Sequence, residues 1–298
     1  MKTKFLLFVS LLFIAFFMGC SSDESVDVSA TSKTITTDDA IVNSEIDASV
    51  DDVSIIVEDQ SLYQSNPNFK TSSPPITPVK TILPDCAVVT IDFTNVPNGI
   101  DYIKTIDFGT EGCTMRNGNV LKGKIIISFY KNPELKSKKI ESKYEKFYHN
   151  DKLIEGSKTF TQESKGTDLL ATDHPVTTHL IDVTVTFPDR KVYTRTGTNV
   201  KEMIDGFTTR DVWDDNVYKV TGGNTTTFPN GNIYTSTIRT PLQITMSCKI
   251  PFPVSGIVKI TKNDVEATLD YGNGDCDNLA TMTTDGVSKE IQLKRKRI

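Results

Sequence analysis

Three histidines, one tryptophan, five cysteines and a few clusters of oxygen donors are the residues of this 298-residue chain that chemistry could use. His174 stands beside Asp173 and five residues before His179, a set that suggests a metal site or an acid/base pair. A five-residue step through a proline-containing segment is a poor ligand geometry, so no metal is assigned there. Asp270, Asn273, Asp275 and Asp277 surround Cys276 with the spacing of a calcium loop. The same residues, with Gly272 and Gly274, are what tight turns require, so calcium stays the secondary reading. Trp213 sits among carboxylates in DVWDDN, residues 211–216, where a sugar platform or a glycosidase pair can be imagined. Adjacent residues of an extended chain point to opposite faces, so Asp214 and Asp215 would not converge, and Trp213 reads as a core anchor. No Gly-x-Ser-x-Gly, phosphate-binding glycine loop, His-Glu-x-x-His or Cys-x-x-Cys occurs. The expectation is a protein with no catalytic residues and no cofactor.

The cysteines belong to a repeat. Asp107, Phe108, Gly109 and Cys113 return as Asp270, Tyr271, Gly272 and Cys276, each set followed by an alternating strand. A second cysteine precedes each copy by nearly the same distance, Cys86 before Cys113 and Cys248 before Cys276. The midpoint of the first pair falls beside Asn98-Gly99 and that of the second at residues 261–264, both turn sequences. A hairpin folded at each turn brings its two cysteines opposite, which predicts the disulfides Cys86 with Cys113 and Cys248 with Cys276. Four reduced cysteines, or a cross-link between the two units, are the alternatives.

The elements that must position these residues begin at the N-terminus. Lys2 and Lys4 precede an apolar run, Phe5 to Met18, too short to span a bilayer and of the length of an export signal. It ends in Phe17-Met18-Gly19-Cys20, which resembles a bacterial lipobox with Cys20 as the lipidated first residue of the mature chain. Residues 1–19 are then a lipoprotein signal peptide and 20–36 a polar, disordered tether. Ser21-Ser22-Asp23-Glu24 resembles the acidic signal that takes such lipoproteins to the cell surface. From Thr37, an N-cap candidate followed by Asp38 and Asp39, Val42, Ile46, Val50, Val53 and Val57 recur at helical spacing, so residues 37–60 read as one acidic amphipathic helix packed on its own domain. Five prolines make 61–84 a semi-extended linker.

Residues 85–298 alternate with period two and are punctuated by Asn98-Gly99, Asn117-Gly118, Asn150-Asp151, Asp189-Arg190, Asn230-Gly231 and Asn263-Asp264. Thr186 to Tyr193 (TFPDRKVY) and Thr227 to Tyr234 (TFPNGNIY) are two versions of one hairpin. Lys201 to Phe207 could form a single helical turn, but no crossover helix is present, which excludes a parallel sheet. The fold expected is all-β, an antiparallel meander of about a dozen or more strands, open, curled or two-layered. Lysines cluster between Lys122 and Lys165 and are read as solvated strand faces and edge guards, with an anionic glycan or lipid patch as the alternative.

With 37% hydrophobic and 24% charged residues, a net charge of −5 and a pI near 5.4, the chain offers no overall basic field for nucleic acid. The lipobox, the Asp-aromatic-Gly-x-x-x-Cys units, Lys122-Gly123-Lys124-Ile125-Ile126-Ile127 and the closing Gly274-Asp275-Cys276-Asp277-Asn278-Leu279-Ala280-Thr281 resemble a group of uncharacterised flavobacterial-type (Bacteroidota) surface lipoproteins. That resemblance implies a palmitate-type lipid anchor in the outer membrane, exposure at the cell surface and an all-β shape. The function expected is non-enzymatic binding or scaffolding, with a glycan or an envelope protein as candidate partner. An envelope carrier or chaperone holding a lipid or acyl chain is the alternative, and it requires a concave apolar face without a helix in it; a glycan-acting hydrolase is the second alternative.

Overall fold

The computed structural model describes residues 34–62, 82–131, 137–209, 212–250 and 252–293. The expected signal peptide, Cys20, the tether as far as residue 33 and linker residues 63–81 lie outside the described residues.

One helix, α1 (Thr37–Leu62), precedes fourteen strands. The strands are β1 (Val88–Asp92), β2 (Ile100–Asp107), β3 (Cys113–Thr114), β4 (Val120–Tyr130), β5 (Ser137–His149), β6 (Lys152–Lys165) and β7 (His174–Thr186), then β8 (Val192–Asp205), β9 (Val217–Thr227), β10 (Ile233–Thr245), β11 (Ser255–Lys262), β12 (Val265–Asn273), β13 (Leu279–Thr284) and β14 (Val287–Gln292). They form a single open antiparallel sheet in sequence order from β1 to β14, with only the short β3 set aside to pair with β4. This is the meander that the turn spacing predicts. β8 runs through to Asp205, so the helical turn expected at Lys201 to Phe207 is strand for most of its length: cross-strand pairing with β7 and β9 overrides a weak local preference.

The turn chemistry acts as the sequence implies. Asn150-Asp151 and Asn263-Asp264 both hold positive φ at their two central positions, the geometry that follows the twist of a hairpin. The two Thr-Phe-Pro segments are equivalent: Phe187 N–H donates to Lys191 O and Phe228 N–H to Asn232 O, at 2.9 and 2.8 Å. Their aromatic rings meet, Tyr193 edge-on to Phe228 of the next hairpin at 5.0 Å and Phe228 tilted against Tyr234 of its own at 4.1 Å. The Asp-aromatic-Gly repeat also has one structural meaning. Asp107 accepts from Gly109 N–H and Asp270 from Gly272 N–H, both at 2.9 Å, while Phe108 and Tyr271 are buried in the core.

α1 begins with a reciprocal cap one residue earlier than expected. Asp39 N–H donates to Thr36 Oγ1 and Thr36 N–H to the Asp39 carboxylate, so Thr36 is the N-cap. The helix is not a surface amphipath: from Asn43 to Ser61 no residue is exposed. Ser44 bonds Tyr271 on β12, while the next residue, Glu45, pairs with Lys152 on β6. Six strand spacings separate β6 from β12, about 29 Å in a flat sheet, and a helix is only ~10–12 Å across. The sheet therefore rolls around α1, and residues from the helix, from Leu83, from β2 through β8 and from β10 through β14 make the main hydrophobic core, while Tyr218 and Val220 of β9 form a small second cluster with Ile244.

The roll is helped by bulges, where register shifts fall in β4, β5, β10 and β11. At the β4 bulge Gly123 has φ +76°, and a Cβ there would overlap the carbonyl oxygen of Lys146. Gly99, φ +87°, faces open space in the β1–β2 turn. Gly123→Ala is expected to cost at least ~2 kcal/mol in a denaturant titration and Gly99→Ala only about 1 kcal/mol, the backbone share alone.

Candidate functional site

Along α1 the polar residues are as buried as the apolar ones, and the inner face of the sheet supplies their partners. Glu58 Oε2 accepts from Lys201 Nζ at 2.9 Å and Glu58 Oε1 faces His179 Nε2 at 2.9 Å. Asp52 takes His149 Nε2 at 2.9 Å and both Asn117 and Asn119 side chains. Asp47 pairs with Arg195, whose guanidinium also donates to Asn43 Oδ1 and Thr226 Oγ1. Lys158 donates to Ser54 Oγ and to the Val50 carbonyl, and Lys104 to the carbonyl and side chain of Gln60. All four of Lys104, Lys158, Arg195 and Lys201 are less than 4% exposed. Such charges are tolerated inside a protein only because each meets a fixed partner.

Burial and pairing pull these groups in opposite directions. Burial alone would raise Glu58, but the Lys201 ammonium and the His179 ring outweigh it and hold the carboxyl at about 2. Burial, with Lys158 nearby, pushes His179 down to about 4 despite Glu58, so the ring is neutral and donates Nε2–H to the carboxylate. Burial likewise lowers Lys158 to about 8, against the pull of Asp51 and Glu58, and raises Asp47 to about 6, against Arg195.

The structure disperses the residues suspected of metal or acid/base chemistry. His174 and His179 do not face one ion: His174 is bound between Thr172 O and Glu202, and His179 belongs to Glu58. Asp173 is exposed. Asp270 and Asp277 spend an oxygen each on turn N–H groups, of Gly272 and Leu279. Asn273 and Asp275 are exposed, and among the described residues no group of three or more His, Cys, Asp or Glu is arranged to hold a metal. The lysine-rich stretch is mixed: Lys122, Lys124 and Lys143 make surface pairs, whereas Lys152 and Lys158 are interior.

Both cysteine pairs are disulfides, Cys86–Cys113 and Cys248–Cys276, with Cα atoms 5.9 and 5.1 Å apart. Each follows from its hairpin, β1–β2 in one case and β11–β12 in the other. They also brace the two walls of a cavity of about 380 Å³ on the flank of α1. One wall is the β3–β4 hairpin, with Met115, Arg116 and Asn117, a run that begins two residues beyond Cys113. The opposite wall has Met246, Lys249 and Ile250 around Cys248, together with Trp213. The floor is the helix, through Asp51, Asp52, Ile55 and Ile56.

Trp213, expected from its sequence context to anchor the core, is instead half-buried at this cavity; the β8–β9 loop holds it outside the layer of inward strand residues. A second, smaller cavity of about 90 Å³ on its other side is bordered by Glu58, Lys201 and Tyr218. Asp214 faces the larger cavity, while Asp215 turns away to Thr209 Oγ1, so the two carboxylates do not converge. The wall residues give no signal in the sequence beyond the cysteines beside them. Comparison of the chain with protein-family models, with curated proteins and with solved structures returned no match.

Lys201→Met strands Glu58 in the interior and should cost about 3–5 kcal/mol at pH 7.5, with part recovered when Glu58→Gln is added. The pH dependence has a definite sign. His179 has a folded value below its ordinary 6.5, so its contribution is complete above pH 6.5 and is lost as pH falls to about 4. Glu58 adds a further loss between its ordinary 4.5 and about 2, whereas Asp47, raised to about 6, acts in the opposite sense and regains stability on acidification. Denaturant midpoints measured from pH 7.5 to 4 should fall less steeply for His179→Gln than for the unmodified protein; parallel slopes would contradict a buried neutral ring.

Proposed function

We propose that this is a lipid-anchored protein of the outer membrane, displayed on its tether at the cell surface, that acts by binding a small amphipathic ligand in the cavity beside Trp213. The cavity carries the reading. Its volume lies within the roughly 300–1,000 Å³ of small-molecule sites, and its walls are mostly large apolar side chains with a few polar groups, the usual make-up of such sites. Two methionines give the walls adaptability, and a disulfide within each wall ties it to its neighbouring hairpin. The anchor rests on the lysines, the apolar run and the Gly19-Cys20 junction of the N-terminus.

Asp52 is saturated by His149, Asn117 and Asn119, and Asp215 is engaged by Thr209, so neither is one of the free flanking carboxylates a glycan hydrolase uses; Asp51 and Asp214 are the other carboxylates at the cavity. The carrier reading in its wide form needs an empty concave face, and α1 fills that face. What remains for an acyl chain or other amphiphile is the flank cavity.

The protein has a single tryptophan, so its fluorescence reports on the surroundings of Trp213 alone. Titration with the apolar probe N-phenyl-1-naphthylamine should give saturable energy transfer from Trp213, and Ile55→Arg on the floor should weaken binding about tenfold or more. Transfer unaltered by Ile55→Arg would place the probe elsewhere. Incorporation of labelled palmitate should disappear in Cys20→Ser, and persistence of the label would remove the anchor.

A further inference from the structure

The open sheet has two edges, and they are built differently. β14 carries Lys289, which pairs across from Met282 and so lies on the same side as the buried Ala280, Met282 and Ile291. An inward charge on a terminal strand is a device that discourages another strand from adding to it. β1 has no such guard. Val88, Val89 and Ile91 are 60%, 40% and 39% exposed, and among the described residues no strand pairs with the outer side of β1. Val89 and Ile91 stand opposite Ile106 and Lys104, both buried, so they continue the inner face of the sheet past the point where α1 and the core cover it. The single charge of the strand, Asp92, is occupied in accepting from Thr94 and Asn95 N–H.

We propose that β1 is a docking edge for β1 of a second copy of this chain, the two strands pairing antiparallel about a two-fold axis at Thr90. Residues directly opposite in an antiparallel pair share a face, so an axis normal to the sheet matches only residues of the same parity. Centred on Thr90, it sets Val89 against Ile91 of the second copy twice on the inner side. On the outer side it sets Val88 against Asp92 twice and Thr90 against its counterpart. No like charges meet, and the apolar row of one sheet runs into that of the other, the self-complementarity that an isologous contact requires. The same operation on β14 fails, because axes at its centre place Lys289 on Lys289 or Glu290 on Glu290. Head-to-tail addition of β14 to β1 brings inward Lys289 onto the apolar row. The second copy is therefore the occupant that fits, and the contact is independent of what the flank cavity binds.

Sedimentation of the purified protein over a wide concentration range should show a reversible monomer–dimer equilibrium. Val89→Lys puts a charge opposite Ile91 of the other copy and should raise the dissociation constant about tenfold or more, whereas Val287→Lys on the other edge should leave it unchanged. The register is checked separately under mild oxidation: Thr90→Cys should give a disulfide-linked dimer, because its Cα atoms come within about 4.5–5.5 Å, and Val88→Cys should not. A monomer at every concentration with no Thr90→Cys cross-link overturns the proposal. So does a dimer indifferent to Val89→Lys, a cross-link through Val287→Cys instead, or a monomer whose β1 edge takes up an unrelated extended peptide.

Discussion

The pairing of an acidic helix with cations on the inner face of a rolled sheet is the constraint on which the rest of this structure depends. Glu58 with Lys201 and His179, Asp52 with His149, and Asp47 with Arg195 are each more expensive to break than to bury together, since separation leaves a charge without water or partner. Apolar contacts from Ile46, Val50, Val53, Ile56 and Val57 provide the driving force for packing. They do not by themselves fix the rotation or depth of α1, because valines and isoleucines lie on more than one side of it. The ion pairs and hydrogen bonds do, since a slip of one residue would leave several cations unsatisfied at once. α1 is also rich in β-branched residues and serines, a composition that makes a poor isolated helix, so its existence depends on these contacts.

From that seating the site follows. Inward charges reach the helix from several strands, Lys104 from β2, Lys158 from β6, His179 from β7 and Arg195 and Lys201 from β8. The flank cavity lies between one margin, the β3–β4 hairpin, and the end of β10 with the β8–β9 loop. Each wall is a connection with few cross-strand bonds of its own, and in each a disulfide ties the connection to its neighbour. The repeated Asp-aromatic-Gly-x-x-x-Cys unit is in this sense one device used twice: the aspartate closes a turn, the aromatic enters the core, the glycine permits positive φ and the cysteine secures the adjoining loop.

Local chemistry is legible in the sequence and long-range pairing is not. Asn150-Asp151 or Thr-Phe-Pro specifies a turn within a few residues, so the meander, its hairpins and both disulfides can be read from the amino-acid order. Arg195 and Asn43 are 152 positions apart, and nothing in the neighbourhood of either marks the other. The lysines of β6 look like solvent-facing residues of an alternating strand, yet Lys158 is inside, because the face opposite it belongs to a helix and not to water. The acidic side of α1 misleads for the same reason: a charged stripe ordinarily faces solvent, and here it faces cations. Trp213 stands out by its rarity, but its place at a cavity depends on a loop whose path no periodicity describes.

Native-state amide hydrogen exchange tests most directly whether α1 is an integral part of the sheet's interior. If it is, the amides from Asn43 to Ser61 exchange only through the same global unfolding that releases the central strands β5 to β8, with equal free energies and equal denaturant dependence. Release of the helix amides in an earlier, separate opening, with those strands still protected, would contradict the account.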